Sequence, residues 1–264
     1  MCTNIETLVR PRPTTPYSLA FHFAAQDITP LPLRRLDWWY NNEAERSGGI
    51  NSLNAVLRSA PNLRYLSLGG IPRFGRVPPD RSPLSLPNLH TLRLQKNSVV
   101  FLRQLVDWWS LPSLSRIALD YPLMAIWIYE LFESFGEQLR TVEIGHDVRF
   151  LWKDHITPCL QLCHGLTELN YFIFFAAVPS IEIPHTSIST IGLHASANNL
   201  LQDGQRYDHV QQHLDILTNR NLFPVLRRII LYGDWKCMLS TPHLALMWRS
   251  LRLCHIAIQI RDTT

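Results

Sequence analysis

Pro61-Asn62-Leu63-Arg64-Tyr65-Leu66-Ser67-Leu68, Pro87-Asn88-Leu89-His90-Thr91-Leu92-Arg93-Leu94 and Pro112-Ser113-Leu114-Ser115-Arg116-Ile117-Ala118-Leu119 are one phrase stated three times. Each copy places apolar residues at its third, sixth and eighth positions. Self-similarity at a fixed period decides architecture ahead of any local propensity. Working outward, the same triplet recurs at Leu33/Leu36/Trp38, Leu139/Val142/Ile144, Leu166/Leu169/Tyr171, Ile188/Ile191/Leu193 and Leu226/Ile229/Leu231. The middle residues Leu66, Leu92, Ile117, Val142 and Leu169 are 26, 25, 25 and 27 positions apart. The longer step from Ile191 to Ile229 implies an insertion, placed around Asn198 to Tyr207. Ile5-Glu6-Thr7-Leu8 is half a phrase, and His255 to Ile260 alternates strictly, as a closing strand does.

Between the phrases the apolar period changes from 2 to 3.6. Leu102, Leu105, Val106 and Trp109 stand at i, i+3, i+4 and i+7, one face of a helix. Ile128, Leu131, Phe132 and Phe135 repeat the spacing, with Gly136 as a stop. So do Ile156, Cys159, Leu160 and Cys163, with shorter versions at Ile50/Leu53/Leu57, Val210/Leu214/Leu217 and Leu244/Met247/Trp248/Leu251. Each unit is strand, connection, helix, and none can bury its own apolar face alone. The expected fold is α/β: one solenoid domain over 1–264, with parallel strands on the concave face and helices on the convex face. Residues 1–32 supply a degenerate first repeat and a Pro- and Thr-rich connection, and 33–264 about eight irregular repeats.

Composition agrees with a packed chain. Of 264 residues 46% are hydrophobic and 17% charged, far from a disordered balance. The formal charge of +4 is spread without a Lys or Arg run, so no nucleic-acid footprint is expected. The longest apolar run, Tyr171 to Val178, is too short to cross a bilayer. Five cysteines (Cys2, Cys159, Cys163, Cys237, Cys254) at irregular spacings, with no leader-like opening, give an intracellular expectation, cytoplasmic or nuclear.

Strand-plus-helix units opening on Pro-Asn-Leu-x-x-Leu-x-Leu resemble the leucine-rich repeat superfamily, from about Leu33 to the end. The helix-containing units are similar to its ribonuclease-inhibitor-like members. The looser phrasing at Ala60-Pro61-Asn62-Leu63, Leu86-Pro87-Asn88-Leu89 and Phe223-Pro224-Val225-Leu226 is similar to the repeats that follow an F-box in fungal F-box/LRR proteins. That resemblance implies a substrate receptor of an SCF-type ubiquitin ligase. No Leu-Pro-x-Glu-type F-box segment stands before Leu33, so a Skp1-type adaptor is expected only if an F-box lies upstream. Regular repeats also carry an Asn or Cys ladder after each strand, which is missing here.

In such a phrase the apolar residues point inward and their alternating neighbours outward. The expected protein-binding face therefore carries Arg35, Asp37 and Trp39; Tyr65 and Ser67; Thr91, Arg93 and Gln95; Arg116 and Asp120. It continues with Thr141 and Glu143; Glu168, Asn170 and Phe172; Thr190 and His194; Arg228 and Tyr232. Aromatic and arginine side chains are the residue types enriched in binding hot spots.

Other constellations reduce to scaffold. Cys159 and Cys163, with His155 and His164 nearby, have a spacing that zinc tolerates, but both lie on an apolar stripe and find no second ligand pair. His209 and His213 stand four apart between Asp208 and Asp215, a spacing read first as a solvated helix face and second as a metal site. Trp38 and Trp109 belong to the core, Trp39 to the outward face and Trp108 to a helix edge. Gly-x-Ser-x-Gly and Gly-x-x-x-x-Gly-Lys are absent, and Gly48-Gly49 and Gly69-Gly70 read as turns. No cofactor, metal site or catalytic residue is expected. The expected function is a non-catalytic protein-interaction module. Its rivals are a structural remnant of an F-box/LRR gene without adaptor function and, behind that, a metal-dependent enzyme.

Overall fold

The computed structural model describes residues 5–10, 31–40, 51–70, 82–95, 99–120, 125–145, 154–195, 204–233, 235 and 256–261. The expected pieces at Leu19 to Phe23, Ile50, Asn198 to Asp203 and Leu244 to Leu251 lie outside them, as do Cys2, Cys237, Cys254 and Gly48-Gly49. The chain is α/β and divides into two compact units, Met1–Tyr121 and Pro122–Thr264.

The first unit contains strands β1 (Thr7–Arg10), β2 (Arg35–Trp39), β3 (Tyr65–Gly69), β5 (Thr91–Leu94) and β7 (Arg116–Leu119), paired in parallel in that order. Helices α1 (Leu53–Arg58) and α2 (Val99–Trp108) lie between strands in the chain, and β4 (Leu84–Ser85) pairs separately with β6 (Trp109–Ser110). In the second unit β8 (Thr141–Ile144), β9 (Glu168–Phe172), β10 (Thr190–Ala195), β11 (Arg228–Gly233) and β12 (Ala257–Arg261) pair in parallel in chain order. Its helices are α3 (Ala125–Phe135), α4 (Ile156–Leu162) and α5 (Gly204–Thr218).

Register follows the apolar phrase residue by residue. Leu36, Leu66, Leu92 and Ile117 are successive partners in the first unit, each with no exposed surface. Val142, Leu169, Ile191 and Ile229 are successive partners in the second unit, none more than 1% exposed. A one-residue slip would turn every one of these side chains to the opposite face, so the pattern holds the register. Burying such a side chain stabilises by about 1.5–3 kcal/mol.

The Pro-Asn-Leu opening has a local cause. Leu63, Leu89, Leu114 and Leu226 donate their N–H to the carbonyls of Ala60, Leu86, Leu111 and Phe223, each closing a turn with Pro at its second place. Proline presets the φ that this position needs. The turn begins and ends on buried apolar residues. Leu166 closes the same turn onto Cys163, so Cys163 occupies a place filled elsewhere by Ala, Leu or Phe. Immediately after each turn, two successive N–H groups converge on one carbonyl of the preceding repeat. Arg64 and Tyr65 meet Arg34; His90 and Thr91 meet Arg64; Thr167 and Glu168 meet Arg140; Arg227 and Arg228 meet Ser189. Each strand is thus launched from its neighbour at a fixed height.

Helix α2 ends one residue earlier than the periodicity implies. Trp109 leaves the helix to pair with Leu84, yet stays buried by packing edge-on against Phe101 at 5.6 Å. In α3, Ile128, Leu131, Phe132 and Phe135 are buried, and a 3-10 turn begins at Gly136. A Cβ at Gly136 would stand 2.4 Å from the Leu162 carbonyl oxygen, so only glycine lets α4 approach there. Gly70 and Gly233, which follow β3 and end β11, hold φ of +99° and +91°, a conformation that suits glycine.

Candidate functional site

The strands of each unit carry the side chains singled out by alternation. In the first unit they pair with one another. The Arg35 guanidinium donates to both Asp37 carboxylate oxygens, at 2.7 and 3.4 Å, and lies 4.4 Å over the Tyr65 ring. The hydrogen bond from Arg35 to Asp37 raises the guanidinium pKa further. One strand further, Arg93 donates to Asp120 across β5 and β7, with Nη2 3.0 Å from Oδ1. Gln95 Nε2 donates to Ser67 Oγ at 3.1 Å. Trp39 lies over Gly69, where a Cβ would come within 2.4 Å of its ring. Thr91 is half-buried on the same face, and Arg116 is exposed.

In the second unit the face is built around stacked rings. Phe172, His194 and Tyr232 are register partners on β9, β10 and β11. Their centroids are 4.8 and 4.6 Å apart, with planes 23° and 16° from parallel. All three are half-buried. Burial lowers the basicity of His194, and the Glu143 carboxylate opposes that effect. At neutral pH the ladder is therefore an uncharged aromatic strip, with Glu143 on the neighbouring strand β8 opposite Asn170.

Gly192 explains how the ladder fits. A Cβ at this position would be 1.9 Å from Asn170 Oδ1 and 2.9 Å from the Tyr232 ring. Asn170 is held by donating to Glu168 Oε1 at 2.8 Å, and its Oδ1 is buried with no hydrogen-bond partner among the described residues. Arg228 donates to Thr190 Oγ1 at 3.1 Å.

Three residues expected on the outward face are not available there. Ser67, Asn170 and Thr190 are 2, 4 and 5% exposed. Gln95, Glu168 and Arg228, which are longer, hydrogen-bond to them. Short polar side chains at these strand positions are covered by their longer neighbours.

The second unit also holds a histidine pair and a cysteine pair. His213 is fully buried, which overturns the solvated-face reading of α5 at that position. Its Nε2 and that of His209 both donate to the Ala176 carbonyl, at 3.1 and 2.8 Å. Two donors on one oxygen fix both tautomers, so His213 Nδ1 accepts from the Tyr171 hydroxyl at 3.2 Å. Burial, with His209 adjacent, pushes the His213 pKa down to about 4. Burial raises the Tyr171 phenol pKa. Cys159 and Cys163 are fully buried free thiols, and burial, then Cys163 beside it, raises the Cys159 pKa. Among the described residues no three His, Cys, Asp or Glu side chains gather as a metal site.

A separate cavity of about 300 Å³ lies between α4 and the segment 180–186. Periodicity gave no signal for it, because that segment belongs to neither a strand nor a helix. Among the described residues no helix is long and apolar enough to cross a membrane. Comparison with protein-family models, curated proteins and solved structures returns no significant match.

Proposed function

We propose that the chain is a protein-interaction module of the leucine-rich-repeat solenoid type, and that the outward sheet faces receive the partner. The observation that carries this reading is the ladder of Phe172, His194 and Tyr232, three rings stacked at one register and left half-buried. Rings prefer to be covered, and pre-stacked rings lose little side-chain entropy when a partner covers them. Glu143, Glu168 and Arg228 supply a polar margin around an apolar strip, the usual anatomy of a protein interface.

The proposal extends to a substrate receptor of an SCF-type ubiquitin ligase, with a Skp1-type adaptor engaged only through an F-box outside this sequence. Repeat style at Pro61-Asn62-Leu63 and Pro87-Asn88-Leu89 supports this extension.

Affinity capture from the native cells tests the reading, using wild type beside Tyr232→Glu and His194→Glu. Arg93 is unsuited to the test, because reversing its charge breaks the Asp120 pair. The expected result is a specific protein partner recovered by wild type and lost from both variants, with unchanged far-ultraviolet circular dichroism. Recovery of every partner by both folded variants contradicts the proposal.

A further inference from the structure

We infer that the ladder face of the second unit takes an acidic, extended segment of its protein partner. Carboxylates of that segment meet Arg228 and Arg261, and its apolar side chains meet the rings. Such a partner presupposes the docking place proposed above, the ladder itself, and so rests on that reading.

Arg228 and Tyr232 stand four apart on β11, so alternation puts both side chains on one face. Arg261 joins them, because it is the register partner of Tyr232 on β12. Both arginines are exposed. Ala257, the partner of Arg228 on β12, is too short to cover it.

The two units treat their arginines differently. In the first, Arg35 and Arg93 are each paired with an aspartate, Asp37 and Asp120. In the second, Arg228 donates to the neutral Thr190 Oγ1 at 3.1 Å and Arg261 to the neutral Gln259 Oε1 at 3.4 Å. Among the described residues no carboxylate forms an ion pair with either. A guanidinium has five N–H donors in a fixed fork, so most of the donors remain for a partner. A carboxylate matches that fork bidentately, and a segment lying over the rings would also keep water from the pair.

Charge is also graded across the strands. Glu143 and Glu168 lie on β8 and β9, Arg228 and Arg261 on β11 and β12, with β10 between them. The three rings therefore run from a margin with carboxylates to one with guanidiniums. A nucleic acid, with a phosphate at every step, would bring like charge onto Glu143 and Glu168. A peptide places its carboxylates only where they are matched, which favours a protein segment.

The test is selection of a random heptapeptide display library on the immobilised full chain, followed by the Kd of an enriched peptide from fluorescence anisotropy. Enriched sequences are expected to combine Asp or Glu with apolar residues. Arg228→Glu and Arg261→Glu should each weaken the peptide about tenfold, as like charges facing each other do. Tyr232→Ala should weaken it as well, whereas Arg103→Glu, at an exposed position on α2, should not. Arg261→Glu keeps the test decisive if loss of the Thr190 bond leaves Arg228→Glu unfolded. Weakened binding in Tyr232→Ala with full binding in every folded arginine variant overturns the acidic segment and leaves the ladder as the docking place. Full binding in all these variants contradicts both. Enrichment of basic sequences, no enrichment, or displacement of the peptide by oligothymidylate would also overturn the acidic segment.

Discussion

The imidazole of His194 lies on the phenol ring of Tyr232, with centroids 4.6 Å apart and planes 16° from parallel. Adjacent parallel strands hold their register partners one strand spacing apart, close to the contact distance of stacked rings. Three partners in a row thus become a ladder without further adjustment. Its stabilising energy comes from ring contact, and its remaining exposed edge is what a partner would cover.

The first prediction concerns that contact. A double-mutant cycle of His194→Ala and Tyr232→Ala, followed by urea unfolding, should give a coupling of about 0.5–1.5 kcal/mol. Additive losses would show the rings to be neighbours without mutual stabilisation.

Gly192→Ala should be costly despite its small size. The new methyl would stand 1.9 Å from Asn170 Oδ1 and 2.9 Å from the Tyr232 ring. Asn170 is buried and tied to Glu168, so it cannot yield freely. A loss of about 1–3 kcal/mol in unfolding free energy is expected, as for other overpacked sites. The His194 resonance should shift in the same variant.

His213 should make stability depend on pH in a defined window. Its folded-state pKa of about 4 lies below the ordinary 6.5, because burial and then the neighbouring His209 disfavour the charged ring, outweighing the opposing hydrogen bond to the Ala176 carbonyl. The unfolded chain therefore takes up the proton first. The contribution is complete above pH 6.5 and declines as pH falls toward 4, by about 3 kcal/mol in all. His213→Gln should flatten the stability curve in this window relative to wild type. Proton titration of the His213 ring by magnetic resonance, with a midpoint near 6.5, would contradict the account.

The Pro-Asn-Leu phrase should contribute laterally as well as through its leucines. Asn88 Nδ2 donates to the Pro61 carbonyl at 3.0 Å, and Ser113 Oγ donates to the Pro87 carbonyl at 2.6 Å. Each joins one repeat to the one before it. Both bonds are exposed, so Asn88→Ala and Ser113→Ala should each lower unfolding free energy by about 0.5–1 kcal/mol. Asn62→Ala, at the same place in the first copy, serves as the comparison.

How much of this was legible follows from which interactions are local. Strand positions and register could be read because the spacing of Leu63, Leu66 and Leu68 recurs unchanged at Leu89, Leu92 and Leu94. The role of Trp109 was not legible. Its place at i+7 continues the α2 stripe, and only its pairing with Leu84, distant in the chain, ends the helix at Trp108. His213 was misjudged because a polar residue between Val210 and Leu214 looks solvated. Its partners Tyr171 and Ala176 lie 42 and 37 residues away. Phe172, His194 and Tyr232 were each assigned outward from alternation. Their stacking requires the exact strand register at the position following the phrase, which alternation within one strand does not specify. The cavity beside α4 left no trace in periodicity, since an irregular segment forms its wall.

The most direct measurement of the central claim is photo-crosslinking in the native cells. A photoreactive amino acid is placed at Tyr232 on the ladder and, as a control, at Gln212, an exposed position on α5. The account predicts a discrete protein adduct from position 232 that is absent from position 212. No adduct from position 232, or the same adducts from both positions, would contradict it.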